Sequence, residues 1–379
     1  MLREEHTLLR SALREFAQTR LAPFAAQWDR DHAFPKEALK ELAGLGCYGI
    51  AVPEQYGGAG MDYTAVAVAL EEIAAGDGGV STIVSVNNCP VCAILMAFGT
   101  EVQKQRFLRP LAEGSALGAF CLTEPHVGSN AAALKTTARL DGADYVLDGV
   151  KQFITSGKHA DYAIVIAVTD KAAGKRGMSA FIVPTDTPGY TVARLEDKTG
   201  QHSSDTAQIL LEDCRVPAVN RIGEEGEGYR IALSSLEGGR IGIAAQSVGM
   251  ARAAFEAALK YAKERESFGQ PIFEHQAVNF RLADMATQIE AARQLVLHAA
   301  ALRDAGTPCL KEAAMAKLFA SEMAERVCSD AIQIHGGYGY VTDFPVERIW
   351  RDVRVCQIYE GTSDIQRMLI GRELARGAG

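Results

Sequence analysis

Three features that would assign the chain to a particular class of protein are missing from its sequence. Basic residues do not dominate, because 39 lysines and arginines face 47 acidic residues and the net charge is −8. This balance disfavours general binding to nucleic acid, which needs a basic surface. No apolar run comes near the roughly 18 residues needed to cross a bilayer, and the polar start at residues 1–6 has no signal-peptide core. We therefore expect a cytoplasmic protein that binds neither nucleic acid nor membrane.

The sequence also lacks a recognisable metal or disulfide framework. Its eight cysteines are scattered, and only Cys89 and Cys92 have the spacing of a paired site. A zinc site would need a second pair, and a redox dithiol would need a thioredoxin-like strand and helix around it. Neither pattern is visible, so we expect buried reduced thiols and no metal ion.

A dinucleotide-binding fingerprint of the Gly-x-Gly-x-x-Gly type is not used, since strands do not alternate with long helices as in a Rossmann domain. Helical periodicity fills residues 1–116, strand-like runs separated by turn residues fill 117–226, and helical periodicity returns over 227–379. The sequence therefore predicts an α+β fold made of a helical domain, a middle antiparallel β barrel or sandwich, and a second helical domain.

Individual segments make this prediction specific. Strands are expected at 162–169, 178–185, 190–195 and 207–216. Near the N-terminus, a helix is expected to begin at 34–35 and to carry Leu42, Leu45 and Tyr48 on its apolar side. In the last domain, seven apolar residues recur at steps of four and three: Val278, Leu282, Met285, Ile289, Ala292, Val296 and Ala299. This stripe is typical of a helix in an antiparallel bundle or in a coiled seam between helices, and it favours a homotetramer.

Glu360 is the first candidate for chemistry. It lies between apolar residues at 355–359 and a break at 361–363. A carboxylate in apolar surroundings has a raised pKa and can act as a base near neutral pH. Gly361 lets the backbone approach a ligand closely, and Thr362 can cap the next helix and leave N–H groups free for a ligand. The local pattern also fits an ordinary capped helix beside a surface glutamate.

The segment Ile358-Tyr-Glu-Gly-Thr-Ser-Asp-Ile-Gln-Arg367 resembles the C-terminal signature of the acyl-CoA dehydrogenases. Further motifs in the family's order extend the resemblance over nearly the whole chain. The resemblance implies a helical domain, a middle β domain and a C-terminal four-helix bundle. It also implies an FAD enzyme that oxidises an acyl-CoA thioester to the trans-2-enoyl-CoA. Glu360 then matches the base that removes the α-proton while the β-hydride moves to flavin N5.

Four motifs carry the cofactor part of this resemblance. The segment 120–130 is similar to the family's Thr-Glu-Pro-x-x-Gly-Ser motif, although His126 replaces a smaller residue. The segment 151–157 looks like Lys-x-Trp-Ile-Thr-Asn-Gly, with Phe153 in place of the tryptophan. The segments 265–276 and 333–339 resemble stretches that contact FAD, the first of them on a neighbouring subunit. With the signature, these motifs imply the following cofactor-binding residues: Phe120, Leu122, Thr123, Ser129, Phe153, Ile154, Thr155, Arg265, Ser267, Phe268, Gln276, Gln333, Gly336, Gly337, Thr362 and Asp364.

The resemblance also assigns residues to the substrate. Those implied to lie near the acyl-CoA are Ser129, Glu237, Arg240 and Gly361. The backbone N–H of Glu360, with a ribityl hydroxyl of the flavin, would polarise the thioester carbonyl. Some relatives, including the isovaleryl type, carry their base on the helix that starts near residue 227. The matching position here is Gly239, which leaves Glu360 as the base.

Partners and alternatives follow from the same likeness. It implies an electron-transferring flavoprotein as electron acceptor, a homotetramer, and a role in fatty-acid β-oxidation. The run 237–241 favours short or branched-chain substrates. An acyl-CoA oxidase or a flavin monooxygenase on the same fold remains an alternative, which rapid oxygen consumption would distinguish. A non-catalytic binding protein is a third hypothesis, and a colourless protein that takes up no FAD would support it.

Overall fold

A computed structural model of the chain describes residues 2–377. Its first part is helical, with caps where the sequence supplies them. The Asp62 carboxylate accepts the N–H of Ala65, and the Asp77 carboxylate accepts the N–H of Val80 at the next helix start. The helices are α1 Glu4–Phe16, α2 Ala22–Asp31, α3 Lys36–Gly44, α4 Tyr63–Gly76, α5 Gly78–Val86, α6 Ala93–Phe98, α7 Glu101–Gln103 and α8 Arg109–Glu113.

Two expectations for this part are wrong. Leu45 lies beyond the end of α3 and is exposed, because the helix ends at Gly44 and the chain turns at Gly46, whose φ is 76°. The helical run Gly78–Phe98 is also long and apolar enough to cross a membrane by length and composition, contrary to the expectation that no such run exists. However, 78% of its most apolar window is buried inside the protein. This is the situation of a core helix.

The middle part is one sheet of eight strands. They are β1 Gly118–Cys121, β2 Thr137–Asp141, β3 Asp144–Thr155, β4 Tyr162–Val168, β5 Met178–Pro184, β6 Tyr190–Leu195, β7 Thr206–Pro217 and β8 Arg221–Ile222. The order is β6-β7-β3-β2-β4-β5-β8, with β1 beside β4. Most neighbours are antiparallel as predicted. The exceptions are β1 with β4 and the single pair that joins β2 to β4, which are parallel.

The last part contains the longest helices. They are α9 Gly228–Glu264, α10 Gln276–Asp304, α11 Leu310–His335, α12 Val346–Val353 and α13 Ser363–Ala375, with a short hairpin of β9 Glu266–Ser267 and β10 Gln270–Pro271 after α9. The helices α9, α10 and α11 pack on one another, and α13 packs on α11. The fold class is therefore the predicted α+β arrangement of helices, sheet and helices.

The apolar stripe on α10 faces the interior of its own subunit. Six of its seven residues, from Leu282 to Ala299, are buried in one core with α9 and α11, and Val278 packs at its edge. The stripe is therefore a bundle contact, and the inference from it to a seam between subunits is wrong. The same core includes α4 of the first part, which packs directly on α9. All eight cysteines are buried and free, as expected.

Candidate active site

Glu360 occupies a tight turn between two helices. The chain leaves α12 at Val353, passes through a single 3₁₀ turn, and reaches Glu360 and Gly361 with φ angles of 52° and 88°. The Thr362 hydroxyl then accepts the N–H of Ile365 at 3.3 Å and caps α13, as the sequence predicts. A left-handed φ at a glutamate is unfavourable, so the surroundings must hold the turn.

The Glu360 carboxylate is buried although the residue as a whole is half-buried. Its Oε2 has no hydrogen-bond partner within residues 2–377. Burial raises the pKa of this carboxyl to about 7, against the opposing charges of Arg240 and Lys317, which lower it. A carboxylate with this pKa is suited to take up a proton near neutral pH.

The surroundings of Glu360 differ from the apolar setting that the sequence suggested. Ile358 is 52% exposed, whereas Val355 and Tyr359 are half-buried, so the preceding residues enclose Glu360 only in part. Two buried cations and a glycine face it instead. Arg240 projects from α9 and Lys317 from α11, and burial lowers the pKa of both side chains.

Gly239 on α9 makes the space for the carboxylate. A Cβ atom built at this position would lie 2.8 Å from Oε2 of Glu360. One residue earlier, a Cβ at Gly238 would lie 2.4 Å from the Tyr63 hydroxyl oxygen. The two glycines therefore let Glu360 and Tyr63 approach neighbouring points on the same helix.

Further polar groups surround the part of α9 next to Gly238 and Gly239. Glu237 accepts a hydrogen bond from the Arg303 guanidinium at 3.3 Å and another from the Cys309 thiol at 3.3 Å. The Arg303 guanidinium also lies 4.0 Å from the centre of the Tyr63 ring, in a cation–π contact. Glu237 is thus paired with a cation inside the subunit, whereas Nε of buried Arg240 has no partner within residues 2–377.

The first two cofactor motifs are joined to each other. The N–H of Gln152 donates to the Thr123 carbonyl at 2.8 Å, and Lys151 Nζ donates to the Leu122 carbonyl at 3.2 Å. Lys151 also forms a buried ion pair with Glu124, at 2.9 Å. Both charged side chains lie away from solvent, so this pair fixes β3 to the loop after β1.

Side chains of these two motifs differ in exposure. Phe153 is 62% exposed and has a φ of 58°, while Ile154 is buried. Phe120, Leu122, Thr123 and Thr155 are half-buried, and Ser129 is exposed. An aromatic ring held outward by a left-handed residue, next to half-buried hydroxyls, leaves a surface on which a planar ligand can lie.

The other two cofactor motifs meet at one end of α9 and α11. The Arg265 guanidinium lies 6.0 Å from the centre of the Tyr338 ring, and Phe268 is 97% exposed with a φ of 53°. Gln276, Gln333, Gly336 and Gly337 are exposed, and Ser267 is half-buried. No hydrogen bond, ion pair or ring contact joins these motifs to the first two within residues 2–377.

Two further site residues were not assigned from the sequence. Lys317 donates to the Gly361 carbonyl at 2.7 Å, and Tyr63 lies against the helix that carries Gly239. Lys317 had a recognisable signal, because it is a lysine inside the alanine-rich run 313–320 on the buried side of a helix. Tyr63 had none, since its approach to Gly238 depends on how α4 packs on α9.

Family models match the chain in three consecutive parts. The N-terminal domain of acyl-CoA dehydrogenases matches residues 3–115, the middle domain matches 119–214 and the C-terminal domain matches 226–375. The human mitochondrial short-chain specific acyl-CoA dehydrogenase is 47% identical over 375 residues, which cover 99% of this chain and 91% of that protein.

Solved structures agree with these matches. Butyryl-CoA dehydrogenase from Megasphaera elsdenii is 44% identical, with a TM-score of 0.97 and 99% of each chain covered. A chain from a structural study of the electron transferring flavoprotein of Acidaminococcus fermentans is 47% identical, with the same TM-score and coverage. Since the matched models and relatives span nearly the whole sequence, the chain belongs to the acyl-CoA dehydrogenase family.

Proposed function

We propose that this acyl-CoA dehydrogenase converts a short-chain acyl-CoA to the trans-2-enoyl-CoA, with Glu360 as the base that removes the α-proton. The observation that carries the proposal is the state of the Glu360 carboxylate. It is buried, has an Oε2 without a partner within residues 2–377, and has a pKa raised to about 7. A surface glutamate that merely precedes a helix would have none of these properties.

The family is FAD-dependent, and the residues present fit that cofactor. Phe153 and Phe268 offer exposed aromatic faces, and a Cβ built at Gly128, Gly336 or Gly337 would meet no atom within 4 Å. Open backbone of this kind suits phosphates, and exposed rings suit the flavin and adenine. When bound, FAD supplies the acceptor for the β-hydride of the substrate.

The motif residues divide into two groups toward FAD. In the proposed arrangement, Leu122, Thr123, Phe153 and Thr155 hold the flavin ring of their own subunit, with Phe120, Ile154, Thr362 and Asp364 beside it, and Ser129 contacts the pyrophosphate or the thioester. Arg265, Ser267, Phe268, Gln276, Gln333, Gly336 and Gly337 serve the cofactor of a neighbouring subunit. All members of the second group except the half-buried Ser267 are exposed, and this exposure and their separation from the first group support the division.

Glu360 contributes a backbone donor as well as the base. Its N–H donates to no other group within residues 2–377. The proposed partner is the thioester carbonyl of the substrate, whose polarisation makes the α-proton more acidic. The positive charges of Arg240 and Lys317 favour the carboxylate form of Glu360 and so increase the fraction of the base that is ionised when the substrate arrives.

The acyl chain is proposed to be short. The helix that carries Gly239 meets the Tyr63 hydroxyl at the previous residue and the Arg303–Glu237 pair just before it. These polar groups are poor neighbours for a long apolar chain, because apolar contact would leave them desolvated. The names of the short-chain and butyryl-CoA relatives point in the same direction.

Assembly and electron transfer belong to the proposal too. The large exposed aromatics Phe268, Tyr338 and Tyr340 lie in or beside the motifs assigned to a neighbour's FAD. They support a homotetramer in which each cofactor site is completed by a second subunit. Electrons are proposed to leave to an electron-transferring flavoprotein.

A substrate panel tests the proposal. The purified protein is mixed anaerobically with saturated acyl-CoA thioesters of four to sixteen carbons and with isobutyryl- and isovaleryl-CoA, and flavin bleaching and enoyl-CoA are measured. We expect the fastest bleaching with a short straight chain and little oxygen consumption when air is admitted. Fast turnover with oxygen would identify an oxidase instead.

A further inference from the structure

Lys317 is a fully buried lysine beside the turn that holds the proposed base. It lies on α11 among the buried alanines Ala313, Ala316 and Ala320, and its side chain has no exposed surface. Its Nζ donates to the Gly361 carbonyl oxygen at 2.7 Å. Taking an ammonium group out of water is costly, so a lysine in this position indicates that its contact with the turn has a use.

The turn depends on side chains for its support. Glu360 and Gly361 both have left-handed φ angles, and their N–H groups donate to no backbone carbonyl within residues 2–377. The Gly361 carbonyl accepts a second hydrogen bond from Gln366 Nε2, at 2.8 Å. Two buried side chains, Lys317 from α11 and Gln366 from α13, therefore donate hydrogen bonds to the same carbonyl oxygen.

Few titratable groups surround this contact, and two of them are buried thiols whose raised pKa values leave them uncharged near neutral pH. Those that face Lys317 or Glu360 are Arg240 from α9, Cys89 from the segment after α5, Glu322 from α11 and Cys356 from the turn after α12. Burial lowers the pKa of Lys317 to about 8, while the carboxylate of Glu360 acts in the opposite direction. Lys317 thus remains mostly charged at neutral pH, and its charge lowers the pKa of the Glu360 carboxyl.

We infer that Lys317 is a positioning residue for Glu360: its ammonium group holds the Glu360–Gly361 turn in place and favours the ionised form of the carboxylate. The inference rests on the proposed role of Glu360 as the base. The same positive charge also bears on the step in which Glu360 gives up the proton and becomes a base again. Once Glu360 holds the substrate's α-proton, Lys317 and Arg240 lose their counter-charge, which favours loss of that proton after the product leaves.

Three variants distinguish the effect of the Lys317 charge from an effect on the local structure. Lys317→Met removes the ammonium group with little change in shape, Lys317→Arg keeps a positive charge, and Lys311→Met makes the same chemical change at a half-exposed position of the same helix. Glu360 is titrated by infrared difference spectroscopy on the FAD-loaded protein, with Glu360→Gln used to assign its carboxyl band. The pH dependence of anaerobic flavin reduction by butyryl-CoA is recorded in parallel.

We expect Lys317→Met to raise the midpoint of the Glu360 titration by about one pH unit or more, since a neighbouring opposite charge shifts a carboxyl by about that amount. For a rise of one unit the rate near pH 7 should fall by about fivefold, and the difference from the parent rate should narrow above about pH 8.5. Lys317→Arg should retain most of the parent midpoint, and Lys311→Met should retain all of it.

An unchanged midpoint in Lys317→Met, or an equal rise in Lys317→Arg, would overturn the inference. If Lys317→Met does not fold, Lys317→Gln, which can still donate a hydrogen bond, is titrated instead with the same expected rise. Failure of this inference is distinct from failure of the proposed function. If Glu360→Gln reduces its flavin at the parent rate, Glu360 is not the base, whatever the Lys317 variants show.

Discussion

Gly239 and Glu360 come together so closely that the glycine cannot carry a side chain without disturbing the carboxylate. A Cβ atom at Gly239 would lie 2.8 Å from Oε2 and 3.0 Å from Cδ of Glu360, nearer than real side chains approach one another. The residues belong to different elements, α9 and the turn before α13. The helix and the turn therefore form one site. The carboxylate of Glu360 fits there only because residue 239 has no side chain.

Gly239→Ala should damage the reaction more than the fold. The added methyl group would push the Glu360 carboxylate aside, and a displacement of about 1 Å at a reacting group can cost roughly a hundredfold in rate. We expect a fall of that order in flavin reduction with unchanged FAD content. Stopped-flow absorbance of the bound flavin measures it.

A matched control for this variant is Gly371→Ala. Gly371 is also inside a helix, α13, but a Cβ there would meet no atom within 4 Å. The control should reduce flavin at the parent rate and be slightly stabilised, because alanine favours a helix over glycine. A parent-like rate in Gly239→Ala would show that the carboxylate tolerates the methyl group.

The reaction should become faster as pH rises through neutrality. Glu360 must be ionised to accept a proton, and burial raises the pKa of its carboxyl to about 7. The acid form therefore dominates below this pKa, and the carboxylate dominates above it. The pH profile of kcat/KM, which reports the free enzyme, should rise and level off above about pH 8. A profile that is flat between about pH 5.5 and about pH 8 would contradict this assignment.

The buried ion pair between Lys151 and Glu124 should be important for stability. Removing one partner leaves an uncompensated buried charge, which typically costs about 3–5 kcal/mol. Lys151→Met should therefore lower the free energy of unfolding by about that much in urea. Adding Glu124→Gln should recover part of the loss, whereas Lys158→Met, at an exposed position of the same domain, should change little.

Arg265→Ala should weaken retention of FAD. A hydrogen bond from a charged group to phosphate is worth about 1.5–3 kcal/mol, so we expect roughly ten- to a hundredfold weaker binding. The ratio of flavin to protein after gel filtration gives a first measure. Lys260→Ala removes an exposed positive charge from the same end of α9 and should leave the ratio unchanged. Equal flavin content in both variants would remove Arg265 from the cofactor site.

Local patterns predicted most of the fold. The strand at 190–195 has the expected bounds, and the regular steps between Leu282 and Ala299 place a buried face on α10. Such periodicity follows from each segment's own sequence. The partner of that face could not be predicted in the same way. A stripe of this kind fits a bundle or a subunit seam equally well, and only the packing of α9 and α11 decides between them.

The candidate site also combines features that the local sequence predicts with features that only the packing of distant segments decides. Glu360 was predicted from a motif of ten consecutive residues, but the charges that set its pKa come from Arg240 and Lys317 on two other helices. The parallel pairing of β1 with β4 likewise depends on how the chain returns to the sheet. Contacts between segments far apart in sequence are not encoded in local spacing, and these are the features that the structure adds.

Glu360→Gln tests the central claim most directly. The amide has nearly the same size but cannot accept the α-proton, so the variant should fold, keep its yellow colour and bind acyl-CoA. Flavin content is measured on the same sample, because loss of the cofactor would mimic loss of the base. On anaerobic mixing with butyryl-CoA, flavin reduction should be slower by at least about a thousandfold, since proton removal is part of the step. FAD-loaded Glu360→Gln that reduces its flavin at near the parent rate would contradict the account.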